Sequence, residues 1–204
     1  MRKLESSLIN MVLVLTGVAI IMSIVLASVN HITSEPIALQ QQKALADGIK
    51  AVMQADDICV SRTDTVQQTD DSGKPQLFLV YQNELGAAVE STTNGFGGKL
   101  RVLVGFNNQG KILGYTILEH AETPGLGAKV TEWFQSGQKS SIIGLSPAKP
   151  LTVSKDGGTI DAITASTITS RAFLLAVNNA YRAYKTMSID EETAATPQTK
   201  DKKE

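Results

Sequence analysis

Asp161-Ala-Ile-Thr-Ala-Ser-Thr-Ile-Thr-Ser-Arg171 decides how the soluble part of this chain is read, because a hydroxyl-dense turn there runs straight into the most regular helical pattern beyond the N-terminus. Downstream of Ile168, Leu174, Val177, Tyr181 and Tyr184 recur at three- and four-residue spacing with Phe173 beside them, which lays one apolar stripe against a core. The spacing predicts a helix starting near Thr167. The first N–H groups of any helix lack intrahelical partners, and Thr164, Ser166, Thr167 and Thr169 crowd that end with hydroxyls. An anion is readily held at such a place. A heavily capped helix start accounts for the same residues with no ligand.

The segment Asp161, Ala162, Ile163, Thr164, Ala165, Ser166, Thr167, Ile168, Thr169 resembles the flavinylation motif of the covalent FMN-binding domain family. That motif is an Asp, two residues, Ser/Thr-Gly-Ala-Ser/Thr, an apolar residue and another Ser/Thr. In the family a Ser or Thr hydroxyl carries FMN through a phosphoester, installed by a separate flavin transferase with FAD as donor. The resemblance implies Thr167 as acceptor, with Asp161, Thr164, Ala165, Ser166 and Thr169 around the cofactor. A phosphodiester there would meet unpaired N–H groups and the positive end of the helix dipole. The chain departs from the pattern twice: Ala165 stands where the family has Gly, and Ser166, a competing hydroxyl, where it has Ala.

A second segment, Glu122-Thr123-Pro124-Gly125-Leu126-Gly127, resembles the loop that approaches the flavin in the same family, and it precedes the first motif in the same order. The resemblance implies that Glu122, Thr123, Gly125, Leu126 and Gly127 border the ring, the glycines letting backbone come close and Leu126 covering a face. Pro-Gly followed by Gly is also an ordinary tight turn. Between the motifs, Leu151 to Lys155 reads as a strand and Asp156-Gly157-Gly158 as a turn that delivers Asp161 to the rim of the site. Lys155 would place a cation near the electron-rich end of a reduced flavin; a solvated lysine at a strand end is the alternative.

At the other end of the chain, Leu8 to Val29 holds no charged residue and as a helix spans roughly 33 Å, the thickness of a bilayer's hydrocarbon core. It reads as one retained membrane helix. A cleaved signal peptide, with Val25-Leu26-Ala27 as its processing site, is the competing reading, but signal cores usually run only about 7 to 15 residues. Arg2 and Lys3 precede the span and the first cation after it is Lys43, so the positive-inside rule puts the N-terminus in the cytoplasm and the remainder outside. Ser34-Glu35-Pro36 then reads as the start of a connecting helix with Leu45, Ile49, Val52 and Met53 on its apolar face. Cys59 is the only cysteine, which excludes an intrachain disulfide, and the run Ile58-Cys59-Val60 suits a buried thiol.

Strand signals follow at Leu77 to Tyr81, Ala87 to Glu90, Leu100 to Phe106 and Ile112 to Leu118. They are separated by Asp70-Asp71-Ser72-Gly73, by Asn94-Gly95-Phe96-Gly97-Gly98 and by Asn107-Asn108-Gln109-Gly110, the last predicting an antiparallel hairpin. A short helix is expected through Val130, Trp133 and Phe134. Strands bracketed by helices give the fold class: α+β, a single N-terminal transmembrane helix followed by an antiparallel-sheet FMN-binding domain with flanking helices. The expected divisions are residues 1–30 (cytoplasmic N-terminus and anchor), 31–90 (connecting helix and start of the domain), 91–188 (FMN-binding domain) and 189–204 (a polar, disordered tail).

Inventory excludes most other chemistry. With His31 beside the membrane span, a Ser/His/Asp hydrolase would have to use His120; cysteine clusters, nucleotide-binding glycine fingerprints and metal-ligand clusters are absent from the sequence. A net charge of −1 gives no argument for nucleic acid. The anchor and the short chain narrow the resemblance to the flavin-carrying subunits of Rnf complexes, membrane-bound ferredoxin:NAD oxidoreductases that pump Na⁺ or H⁺. The C subunit of Na⁺-translocating NADH:quinone oxidoreductase shares the motif but is typically longer. The resemblance implies covalent FMN, an electron-relay role, and as partners the other subunits of the complex, the bilayer and the flavin transferase. A membrane-tethered scaffold domain without cofactor is the reading from a different class.

Overall fold

The computed structural model describes residues 8–53, 62–69 and 75–195, with side chains placed as far as residue 187. Cys59 and the turn at 70–73 lie outside the described residues. The chain divides into two compact units, residues 1–44 and 45–204.

The first unit is helical throughout its described part. Helix α1 runs Leu8–Met53, and its apolar side chains between Leu8 and Val29 are exposed on every side. That pattern suits lipid and not water. The helix does not restart at Ser34: Pro36 lies inside it, although its ring removes one backbone donor.

In the second unit five strands form one antiparallel meander: β1 (Arg62–Thr69), β2 (Pro75–Asn83), β3 (Gly86–Asn94), β4 (Lys99–Asn107) and β5 (Ile112–His120), hydrogen-bonded in that order. Strand β1 gave no signal in the sequence. β3 runs through residues 90 and 91 without a break, so the sheet spans the expected division there. The hairpin expected at Asn107 is present, its turn fixed by the Asn107 Oδ1, which accepts from the N–H groups of Gln109 (3.0 Å) and Lys111 (2.9 Å).

Short helix α2 (Val130–Trp133) follows a 3₁₀ turn (Gly127–Lys129) and is tied to β5 by the buried Tyr115 hydroxyl. That hydroxyl donates to the Val130 carbonyl (2.8 Å) and accepts from the Phe134 N–H (3.2 Å). Burial pushes its pKa well up, which keeps it a donor. Helix α3 (Thr167–Ala195) crosses one face of the sheet, and its stripe forms the main core with Phe78, Val80, Val102, Val104 and Phe106. Phe173 stacks on Phe134 at 4.7 Å between ring centres, and Tyr184 on Phe106 at 5.3 Å. The helix continues to Ala195, so the first residues of the expected tail are helical.

The opposite face receives the last turns of α1. Ile49, Val52 and Met53 pack with Ala88 and Leu103. The backbone comes so close there that a Cβ on Gly105 would lie 2.6 Å from the Val52 carbonyl oxygen, and one on its cross-strand partner Gly114 3.2 Å from the Val52 Cα. This glycine pair is a notch for the helix.

A buried carboxylate and a partly exposed threonine form the candidate functional site

Helix α3 begins where the sequence predicts. The Ser166 carbonyl accepts the first helical bond, from the Ser170 N–H at 3.0 Å, which makes Ser166 the N-cap. The Ser170 hydroxyl donates to the same carbonyl (3.0 Å) and accepts from the Ile163 N–H (2.9 Å), so the turn before the helix is held by backbone on both sides. Within it Ala165 has φ 61°, the only positive φ outside glycine among the described residues. A left-handed alanine costs roughly 1 kcal/mol, and this is the position where the flavinylation motif carries Gly. The departure is therefore tolerated at the expense of local strain. Ser166 is buried, whereas Thr167 is half exposed at the first position of the helix.

Glu122 joins this helix start to two other segments. It is 6% exposed. Its Oε1 accepts from the N–H groups of Phe96 (2.8 Å) and Gly97 (3.3 Å) in the β3–β4 turn, and its Oε2 accepts from the Thr169 hydroxyl (2.8 Å). A buried carboxylate is stable only with such donors. The glycines around it follow from the same geometry. A Cβ on Gly95 would sit 2.0 Å from Oε1, and one on Gly127 would sit 2.4 Å from Oε2 and 2.9 Å from the Thr169 Oγ1. Gly127 thus leaves room for the carboxylate and its bond to Thr169 while lining the cleft. Gly125 has φ 77°, a conformation that favours glycine for its own turn.

These segments enclose a cleft of about 320 Å³. Thr123, Leu126, Gly127, Ala165, Ser166, Thr167 and Thr169 line it together with Glu122, which brings most of the residues named from the sequence into one place. Phe96 and Ile168 line it too, and neither was singled out in the sequence. A phenylalanine between glycines in a turn was the signal available for the first; Ile168 sits inside the motif, where its apolar position was read as spacing.

A second cleft of about 420 Å³ includes Lys155, Asp161, Thr164, Trp133 and Lys139. Lys155 does not end a strand. Only Val153 makes a single parallel bridge, to Ile160, and Ser154–Asp156 is a 3₁₀ turn, because Gly157 and Gly158 fold the chain back within hydrogen-bonding range of Val153. The ammonium donates to the Thr167 Oγ1 at 3.2 Å. Its turn is fastened to α3 by a two-pronged ion pair from Arg171 to Asp156, at 2.7 and 2.6 Å. That hydrogen bond, with the attendant charge, holds the Asp156 carboxyl below its usual range. The Asp161 side chain pairs with Lys139 at 3.2 Å and its carbonyl accepts from the Trp133 indole N–H at 3.0 Å, so it braces the second cleft and stands apart from the first.

The arrangement suits a phosphorylated aromatic ligand. Phe96, Leu126 and Ile168 offer apolar walls, while the Lys155 ammonium and the helix start flank the Thr167 hydroxyl with positive charge. Among the described residues no group of His, Cys, Asp and Glu could hold a metal ion.

Comparison with known proteins agrees with this chemistry. Residues 95–182 match the family described as FMN-binding domain. The chain is 36% identical over 170 residues to the G subunit of the ion-translocating oxidoreductase complex of Yersinia pestis, covering 76% of this chain and 79% of that protein. The protein of the same name from Vibrio parahaemolyticus is 34% identical over 179 residues, 81% and 83% of the two chains. That from Escherichia coli K12 is 33% identical over 165 residues, 76% and 80%. With α1 long and apolar enough to span a bilayer, this single-pass membrane protein with an FMN-binding domain belongs to the family of G subunits of ion-translocating oxidoreductase complexes.

Proposed function

We propose that this chain is the electron-relay subunit of an Rnf-type ion-translocating ferredoxin:NAD oxidoreductase and carries one FMN as a phosphoester on Thr167. The observation that carries the reading is the Thr167 hydroxyl: half exposed at the head of α3, on the wall of the cleft, with a lysine 3.2 Å away. FMN, when bound, supplies the one- and two-electron chemistry. Everything else is done by the chain. Lys155 and the first N–H groups of α3 balance the charge of a phosphodiester. Leu126 and Ile168 shield the apolar cleft from water, and Glu122 fixes the three segments to one another. Ser166, the competing hydroxyl, is buried at the N-cap, which favours Thr167 as the acceptor.

Attachment requires a flavin transferase. The Thr167 Oγ attacks the flavin-side phosphorus of FAD, the bond from that phosphorus to the bridging oxygen breaks, AMP leaves, and the hydroxyl proton passes to a base of the transferase. An FMN held on Thr167 could not diffuse away and would supply its redox chemistry to partner subunits that reach the open cleft. The charge asymmetry around α1 supports a cytoplasmic N-terminus with the domain outside; protease added to intact spheroplasts should remove the domain, and protection would reverse the placement.

Thr167→Ala tests the reading. It should yield a folded, membrane-inserted protein without flavin, and membranes that assemble the complex yet lose ferredoxin-to-NAD electron transfer. Persistent in-gel flavin fluorescence, mapped to Ser166 or Thr169, would refute it.

A further inference from the structure

Among the large apolar side chains that line the cleft beside Thr167, Phe96 has no part in the functional reading. Phe96 is 71% exposed, Ile168 52% and Leu126 43%, and they come from three separate segments: the β3–β4 turn, the first turn of α3 and the loop after β5. Exposed aromatic rings on a turn are ordinarily free to move with it, but this turn is not free. The Phe96 N–H is held by the Glu122 carboxylate at 2.8 Å, and Gly95 closes onto the Gly98 carbonyl at 2.7 Å. A Cβ on Gly97 would lie 2.0 Å from the Ala121 carbonyl oxygen, so the turn lies flat on the chain beneath it. The Phe96 backbone is thus fixed by the same carboxylate that, through Thr169, fixes the helix bearing Thr167. One buried group sets the spacing between an exposed aromatic ring and the acceptor hydroxyl.

We infer that Phe96 is the aromatic wall of the flavin site, a face against which the isoalloxazine of an FMN on Thr167 packs. The inference rests on the Thr167 reading above. The chemistry is that of flat π-systems: a ring of this size gains by contact with a second aromatic face beyond the area it buries, and Phe96, Leu126 and Ile168 are the large apolar side chains that the cleft offers. Glu122 takes no part in that contact, since both of its oxygens are already engaged, and acts as a positioning residue for Phe96 and Thr167 alike.

The test uses the full chain produced in a host that flavinylates it, with flavin per protein measured by intact mass. Phe96→Trp places an indole in the wall. An excited isoalloxazine in contact with indole takes an electron from it and returns it without emitting, whereas phenylalanine is too hard to oxidise. Fluorescence per bound flavin should therefore fall several-fold in Phe96→Trp. It should stay unchanged in Leu145→Trp, whose backbone pairs with Ile112 at the far end of β5. In Phe96→Ala, iodide should quench the flavin more readily than in the parent protein. Full flavin occupancy with undiminished fluorescence in Phe96→Trp would overturn the inference alone. Absence of flavin from the parent protein and every variant would overturn the Thr167 reading and this inference with it.

Discussion

The first turn of helix α3 and the stretch that follows it are held on different principles. From Phe173 to Tyr184 the helix is fixed chiefly by apolar packing: Phe173, Val177, Ala180 and their neighbours are buried against the sheet, with Asn178 bonded to the Leu151 backbone and the Tyr184 hydroxyl to the Asn107 carbonyl. From Thr167 to Arg171 it is fixed by polar ties, namely the Ser170 hydroxyl to the Ile163 N–H in the preceding turn, Thr169 to Glu122 and Arg171 to Asp156. The contrast shows how a small domain keeps a hydroxyl both exposed and stationary. Packing alone would hide Thr167, so directional bonds to buried or bidentate carboxylates hold the helix end while its outer face stays open.

Removing packing should cost most. Phe173→Ala strips a fully buried ring that contacts both Phe134 and Tyr115, and a loss of about 3–5 kcal/mol is expected in denaturant unfolding of the membrane-extracted protein. A loss under about 1 kcal/mol would show that the packed part is not what stabilises the domain. Removing the central polar tie should cost less but reach the site. Glu122→Ala strands the donors of Phe96, Gly97 and Thr169, and a loss of roughly 1.5–3 kcal/mol is expected together with reduced flavin occupancy. Stability lost with occupancy intact would separate the carboxylate from the site. The smallest effect has the opposite sign. Ala165→Gly relieves a left-handed alanine and should raise stability by about 0.5–1 kcal/mol, the strain relief exceeding the added flexibility of the unfolded chain. A drop in melting temperature would contradict the strained turn.

Legibility in the sequence follows the same division. The packed part of α3 and the strands β2 to β5 were readable because burial imposes a period of 3.6 or 2 on residue type, and the apolar span of α1 because it is an unbroken uncharged run of bilayer length. Strand β1 was not, since Arg62-Thr-Asp-Thr-Val-Gln-Gln-Thr69 carries one large apolar side chain, Val66, and its pairing with β2 is settled by the sheet it joins. Nor was the 3₁₀ turn at Ser154–Asp156, where Leu151-Thr-Val mimics a strand but the glycines after it close the chain at once. The polar first turn was readable only through motif resemblance. That resemblance led to Thr167 and Glu122, and the segment between the motifs to Lys155, yet neither could show that Glu122 bonds Thr169, that Gly127 makes room for that bond, or that Phe96 faces the same cleft. Those are contacts between residues distant in the chain. The uninterrupted α1 was hidden for another reason: Ser34-Glu35-Pro36 has the form of a helix start, but a helix already formed on both sides carries through Pro36 at the loss of one hydrogen bond.

Attachment of the flavin to Thr167 is the central claim, and the most direct measurement is mass spectrometry of the protein purified from its own host, intact and after proteolysis. The expected result is a gain of one FMN less one water on the whole chain, confined to the peptide containing Thr167 and localised to that residue on fragmentation. An unmodified Thr167, in a chain without added mass or with its flavin on another side chain, would contradict it.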